Sequence, residues 1–160
     1  MRIIDKTGPL TNPADRDHCL QYMTAVALIR GTLSADDYRD EAARDPRIDR
    51  LRACTQVAEE PRYSRDYLDP SKRSIANAVQ VFFADGTRTP RVEVEYPLGH
   101  GRRRAEGLPL LREKFARAIA GRLGGRRCRA IQSLFDDADR LDATPVPIFI
   151  DLFASDAPLP

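Results

Sequence analysis

Hydrophobic positions in the first part of the chain recur with the period of an α-helix. Between residues 12 and 31 they fall three or four positions apart, and Asn12, Pro13 and Gly31 suit the N-cap, the first turn and the end of such a helix. The second half of this segment, "MTAVALIRG", is apolar around most of its circumference. The pattern therefore predicts one continuous helix that is buried on more than one side.

Shorter elements follow this helix. Ser34 and Asp45 are suitable N-caps for two short, partly exposed helices. The next segment, "TQVAEEPRYSRDYLDPSKRS" at residues 55–74, contains Pro61 and Pro70 among clustered polar residues. We interpret it as a strand followed by a loop.

A β-hairpin is predicted in residues 74–96. Two runs of alternating β-branched and aromatic residues flank Asp85-Gly86, a dipeptide that strongly favours a tight turn between strands. Each strand has one apolar face, so one side of the sheet is expected to pack and the other to face water or a partner. The residues of these faces are Ile75, Ala76, Val79, Val81 and Phe83 on one strand and Val92, Val94 and Tyr96 on the other.

From residue 109 the pattern is helical again. Helices are predicted in residues 109–123, ended by Gly124 and Gly125, in residues 126–141, and in a short apolar segment within 144–154. The fold class is therefore α+β: helices with a small antiparallel β-sheet element, followed by C-terminal helices. Because a sheet of two or three strands is marginally stable alone, we expect another chain or another part of the protein to complete it.

Composition excludes several classes of function. The 26 Lys+Arg and 24 Asp+Glu leave a net charge of +2, too small for a global attraction to nucleic acid or to an anionic membrane. Cys19, Cys54 and Cys128 have no CxxC or CxxH spacing, so neither a disulfide framework nor a local zinc or iron–sulfur motif is indicated. No segment has the length of a membrane-spanning helix and no signal peptide is visible. These observations predict a cytoplasmic protein with reduced cysteines.

Five blocks of sequence, taken in order, resemble the C-terminal portion of the MmgE/PrpD family. They are "GPLTNPADRDHCLQYMTAVALIRGTL" at residues 8–33, "DPRIDRLR" at 45–52, "DYLDPSKRSIANAV" at 66–79, "FADGTR" at 83–88 and "VEYPLGHGRRRAEGLPLLREKF" at 94–115. The resemblance implies a two-domain architecture, all-helical plus α+β, of which this chain is an incomplete fragment. Residues 1–97 would form the C-terminal half of the α+β domain, and residues 98–160 would be helices that return to a helical domain outside this chain.

The combination of "ADRDHC" with "YPLGHGRRR" resembles the subgroup that acts on 2-methylcitrate. The implied reaction is removal of water to give 2-methyl-cis-aconitate in the methylcitrate route of propionate breakdown, without a cofactor. Most of the family's proposed acid, base and lysine residues lie outside this chain, so we expect it to be inactive alone. The alternative is an oligomerisation or binding module without catalysis of its own. Either hypothesis predicts a homo-oligomer, or another partner, that covers exposed apolar faces.

His18 and Arg16 are the first candidates for catalysis and substrate binding, respectively. A histidine in the first turn of a helix has a disfavoured charged form and could serve as a neutral donor or acceptor. The alternative is a structural bond from His18 to a neighbouring carbonyl or to a carboxylate such as Asp15 or Asp17.

The segment "YPLGHGRRR" supplies the second set of candidates. His100 lies between two glycines that would allow close approach to a ligand, and Arg102 and Arg103 could bind a carboxylate of a tricarboxylate substrate. The alternatives are a turn between domains and arginines that are solvated or paired with carboxylates. Lys72 and Arg73 could line an anion site or be solvated.

Overall fold

The computed structural model describes residues 4–154. The chain divides into two compact units between Ser64 and Arg65. The first unit contains the helices α1 to α4 and a 3₁₀ turn, α5 crosses the division, and the second unit contains a two-stranded sheet and the helices α6 to α9. The helices are α1 (Pro13–Asp17), α2 (Leu20–Arg30), α3 (Asp40–Ala43), α4 (Pro46–Ala53), α5 (Pro61–Leu68), α6 (Arg104–Ala120), α7 (Gly125–Phe135), α8 (Ala138–Ala143) and α9 (Val146–Asp151).

The ends of the first predicted helix are confirmed, but its continuity is wrong. Asn12 caps α1 by accepting a hydrogen bond from the backbone N–H of Asp15 at 2.9 Å, and Gly31 ends α2 with a φ of 71°. Between the two helices Cys19 is extended, and the backbone N–H of Leu20 donates to the carbonyl of Ile4 at 2.9 Å. The N-terminal segment thus supplies an acceptor from outside the helix, which allows the chain to break there.

The core of the first unit lies between α2 and α4. Tyr22 is 2% exposed, and its hydroxyl donates to the carbonyl of Asp37 in the 3₁₀ turn at 2.6 Å. The helix start predicted at Asp45 is present, since its carboxylate accepts from the N–H of residue 47 at 3.0 Å. Ser34 begins a 3₁₀ turn and not an α-helix, and the carboxylate of Asp37 accepts from the Ser34 N–H at 2.7 Å. The buried hydrophobic residues of this core are Cys19, Tyr22, Ala25, Val26 and Ile48.

The strand predicted before Pro70 is wrong, because Pro61 begins helix α5. Proline suits the first turn of a helix, where its missing N–H is not needed. The side chain of Glu60 accepts from the backbone N–H of Arg62 at 3.3 Å, which satisfies one of the free donors of that turn. A turn formed by residues 69–73 then leads into the sheet.

The predicted hairpin is confirmed, with strands shorter than the alternating pattern. Strand β1 (Asn77–Val79) pairs antiparallel with β2 (Val92–Val94), with Val79 opposite Val92. Gly86 has a φ of 85° in the connecting turn. Val79, Val92 and Val94 remain 44%, 62% and 42% exposed, so the described chain does not cover the apolar face that they share.

The C-terminal helices form the core of the second unit. Helix α6 begins at Arg104, earlier than predicted, and contains Pro109. It ends at Ala120 with Gly121 as its C-cap, so the end predicted at Gly124 and Gly125 is wrong, and these two glycines begin α7. Arg127 of α7 is 8% exposed and donates to the carbonyls at the end of α9. The buried hydrophobic residues are Ile119, Cys128, Ile131, Leu134 and Leu152.

The α+β class predicted from the sequence is confirmed. Within residues 4–154, no helix combines the length and the apolar character that crossing a membrane requires.

Candidate functional site

Two segments of the second unit that are distant in sequence are joined by hydrogen bonds. The loop of residues 69–74 lies against residues 96–106, and we name this pair of segments the arginine clasp. The imidazole Nε2 of His100 bonds to the carbonyl of Arg73 at 3.1 Å, and the guanidinium of Arg102 donates to the carbonyl of Ser71. The clasp therefore brings the predicted candidates His100, Arg102 and Arg103 together with the Lys72-Arg73 pair.

Both ring nitrogens of His100 are engaged in this clasp. Its Nδ1 accepts from the backbone N–H of Arg102 at 3.1 Å, so Nδ1 carries no proton and Nε2 is the nitrogen that donates to the carbonyl of Arg73. The geometry within the clasp does not require glycine on either side of His100, since a Cβ on Gly99 or Gly101 would meet nothing within 4 Å, and the close approach to a ligand that these glycines would allow stays a prediction. A role for His100 as a base stays a prediction, and it requires one of these bonds to open.

Arg102 is held by backbone and aromatic groups. Its Cζ lies 5.1 Å from the ring centroid of Tyr96, a cation–π distance, and the rings of Tyr96 and His100 are 4.7 Å apart. Among the described residues no carboxylate pairs with the Arg102 guanidinium. Its charge is therefore available to an anion, and its position is fixed by neighbours that do not neutralise it.

Arg103 has a different environment. Its Nη2 and Nε bond to the carboxylate of Glu106 at 2.7 and 3.2 Å, and its Nη1 donates to the carbonyl of Tyr96 at 3.1 Å. The hydrogen bond from Arg103 lowers the pKa of Glu106. Arg103 thus forms the bidentate ion pair that was the alternative in the sequence prediction, and its role in substrate binding stays a prediction.

The loop side of the clasp contains one paired and one unpaired cation. Lys72 Nζ lies 2.8 Å from Asp66 Oδ1, and the hydrogen bond with this carboxylate raises the pKa of Lys72. The side chain of Arg73 has no partner in the described part of the chain, and its φ is 46°. Ser74 is fully buried, and its hydroxyl has no hydrogen-bond partner among residues 4–154.

The sequence pattern does not mark Ser71, Ser74 or Tyr96 as parts of this site. Ser71 contributes its backbone carbonyl, which any residue could supply, and Tyr96 contributes its ring face, which any aromatic residue could supply. Only the tertiary contact shows their use. The block "DPSKRS", in which two small hydroxyl residues flank two cations, was the available signal.

His18 and Arg16 lie in the first unit. His18 follows the last residue of the short helix α1, and not the first turn of a long helix as predicted, because the chain breaks at Cys19. The hydrogen bond that His18 Nδ1 donates to the carboxylate of Asp17 raises the pKa of His18, helped by the carbonyl of Ala14 at 3.1 Å. The end of a helix favours the charged form of histidine, so the predicted neutral imidazole is replaced by one that binds its proton more tightly.

Arg16 is buried and directed into its own unit. It is 5% exposed, and its Nη1 donates to the carbonyl of Tyr38 and to Asp40 Oδ1, both at 2.7 Å. These bonds connect α1 to the segment that leads into α3. They give Arg16 a structural task, and its predicted contact with substrate stays a prediction.

Within the described residues, no group of three or more His, Cys, Asp and Glu side chains could hold a metal ion. Cys19, Cys54 and Cys128 are free thiols.

Comparison with known proteins identifies the family. The model described as MmgE/PrpD C-terminal domain matches residues 1–140. The chain belongs to this family. Members that it resembles include the 2-methylcitrate dehydratases of Cupriavidus necator, 56% identical over 96% of this chain, and of Salmonella typhimurium, 52% identical over 96%. The 2-methylcitrate dehydratase of Escherichia coli K12 is 50% identical over the same share.

The chain matches only part of these relatives. It spans 32% of the length of each of these three relatives. The resemblance predicted from the five sequence blocks, to the C-terminal portion of this family and to its 2-methylcitrate dehydratases, is confirmed.

Proposed function

We propose that this chain is the C-terminal part of a 2-methylcitrate dehydratase, which converts 2-methylcitrate to 2-methyl-cis-aconitate in propionate catabolism. The observation that carries the proposal is the 50–56% identity, over 96% of this chain, to relatives that bear this name. The free thiols support a cytoplasmic location.

The reaction defines what the protein must supply. A base removes a proton from a carbon next to a carboxylate, the electrons of that bond form the double bond, and the hydroxyl leaves as water after protonation by an acid. The negative charge that develops on the carboxylate needs cations or hydrogen-bond donors. The clasp offers Arg102 and Arg73, whose guanidinium groups lack carboxylate partners within the described residues.

We assign binding and orientation of the substrate to the clasp. His100 contributes by holding the loop of residues 69–74 against residues 96–106, through its bond to the carbonyl of Arg73. Most of the proton-transfer groups are assigned to the part of the relatives' length that this chain does not match. The isolated chain is therefore expected to bind a tricarboxylate without turning it over.

A chimera tests the proposal. The segment of the Cupriavidus necator relative that matches this chain is replaced by this chain, and formation of the conjugated product is followed by ultraviolet absorbance. We expect turnover of 2-methylcitrate by the chimera and none by the isolated chain. A well-folded chimera that does not dehydrate 2-methylcitrate, while the intact relative does, contradicts the proposal.

The alternative, an oligomerisation module, is supported by the exposed apolar face of the hairpin. Val79, Val92 and Val94 are each more than two-fifths exposed, and such faces are usually covered. Light scattering on the isolated chain distinguishes the alternatives in combination with the chimera. Stable self-association together with an inactive chimera favours the module.

A further inference from the structure

We propose that Arg73 is a substrate-binding residue, held by its left-handed backbone so that its guanidinium, with that of Arg102, binds one carboxylate of the tricarboxylate. This inference rests on the proposed function for the identity of the substrate. The binding of a carboxylate by the clasp is tested separately from catalysis below.

The backbone at Arg73 has a conformation that its side chain disfavours. Its φ of 46° lies in the left-handed region, and Arg73 is the non-glycine residue with positive φ in the described chain. Glycine, or less often asparagine, is the usual choice at this position after a helical turn, because a Cβ is crowded there. Selection for folding alone would favour glycine, so the arginine side chain has another use.

The surrounding contacts leave the backbone no alternative. The N–H of Arg73 donates to the carbonyl of Asp69 at 2.8 Å, and its own carbonyl accepts from His100. The next two N–H groups are also bonded, from Ser74 to the carbonyl of Asp66 at 3.3 Å and from residue 75 to the carbonyl of residue 95 at 3.2 Å. The turn is therefore fixed on both sides, and the direction in which the Arg73 side chain leaves the loop is fixed with it.

The charges of the clasp distinguish Arg73 from its neighbours. Lys72 is paired with Asp66, and Arg103 is paired with Glu106. The side chain of Arg73 has no partner within the described residues, and the one carboxylate of the same loop, that of Asp69, accepts from Ser71. A planar guanidinium binds a carboxylate in bidentate geometry, and a second arginine can bind the remaining lone pairs.

Ser74 provides a second, independent observation. Its hydroxyl is fully buried and has no hydrogen-bond partner among residues 4–154. Buried polar groups are almost always satisfied, so this hydroxyl, directly after Arg73 in the chain, is an exception within the clasp.

The test separates the side chain of Arg73 from its backbone. Arg73→Gly removes the guanidinium and relieves the positive φ, whereas Arg73→Ala removes the guanidinium and keeps the Cβ. Arg122→Gln, a change at an exposed arginine that follows α6, is the control. In the chimera we expect both Arg73 variants to raise KM for 2-methylcitrate about ten- to a hundredfold, the effect of one charge-assisted hydrogen-bonded pair.

The stability of the two Arg73 variants is expected to differ, although their KM values change in the same direction. In the isolated chain, Arg73→Gly is expected to raise the urea midpoint of unfolding, and Arg73→Ala is not. If Arg73 had only a structural role, both variants would be less stable and KM would be unchanged. An unchanged KM in both variants of an active chimera overturns the inference.

If the chimera is inactive, isothermal titration calorimetry of citrate with the isolated chain tests carboxylate binding directly. If both Arg73 variants weaken this binding and Arg122→Gln does not, the carboxylate site is supported although the proposed function is contradicted. Absence of binding, or binding that is indifferent to Arg73, then overturns the inference as well.

Discussion

Gly107 in helix α6 is the position where a single methyl group should have the largest effect on the clasp. A Cβ built at Gly107 lies 2.1 Å from the carbonyl oxygen of Leu98, which is backbone and cannot rotate away. Carbon and oxygen ordinarily meet at about 3.3 Å, so alanine would require the two segments to separate by about 1 Å. Overpacking of this kind destabilises by about 1–3 kcal/mol, which exceeds the gain of about 1 kcal/mol from replacing a helical glycine by alanine.

Urea unfolding of the isolated chain measures this prediction, and Gly121→Ala is its matched control. A Cβ at Gly121 meets nothing within 4 Å, and its φ of −77° suits alanine. We expect Gly107→Ala to lower the free energy of unfolding and Gly121→Ala to leave it unchanged or raise it slightly. If Gly107→Ala stabilises the chain as much as Gly121→Ala does, the close approach of Leu98 to α6 is refuted.

Three further predictions concern the two cores and α1. Arg127→Ala should lower the free energy of unfolding by about 2–3 kcal/mol, because it leaves the last carbonyls of α9 without their donor, whereas the exposed Arg129→Ala should change it by less than about 0.5 kcal/mol in urea titrations. Since the pKa of His18 is raised in the folded chain, its stabilising contribution is complete below the ordinary pKa of histidine and is lost as the pH rises through the folded value. NMR titration of the imidazole should show this raised pKa, and Asp17→Asn should lower it. Tyr22→Phe should cost about 1–2 kcal/mol in thermal or urea unfolding, since a buried carbonyl loses its hydroxyl donor.

The sequence pattern predicted an element correctly where the interactions that form it join residues close together in the chain. Asn12, Gly31 and Asp45 mark helix ends because their side chains, or the absence of one, satisfy or release backbone groups within a few residues. The Asp85-Gly86 turn likewise needs only its own backbone conformation and the alternation on either side. These features, the α+β class and the family resemblance were therefore predictable.

The sequence pattern predicted helix bounds wrongly where contacts with a segment distant in sequence set those bounds. The break at Cys19 depends on an acceptor from residue 4, and the start of α6 before Pro109 accompanies the contacts of residues 96–106 with the loop of residues 69–74. Periodicity alone does not contain these partners. Pro61 shows a simpler error, because proline occurs both in loops and in the first turn of a helix.

The residue types in "YPLGHGRRR" and "DPSKRS" were enough to name the candidates, because arginine and histidine bind carboxylates. Which of these side chains is free to bind a carboxylate depends on the folded chain. It pairs Arg103 with Glu106 and Lys72 with Asp66, and it leaves Arg73 and Arg102 without a carboxylate within the described residues. The physical reason is that neutralisation of a charge depends on distances of a few ångströms between residues whose separation along the chain gives no hint of them.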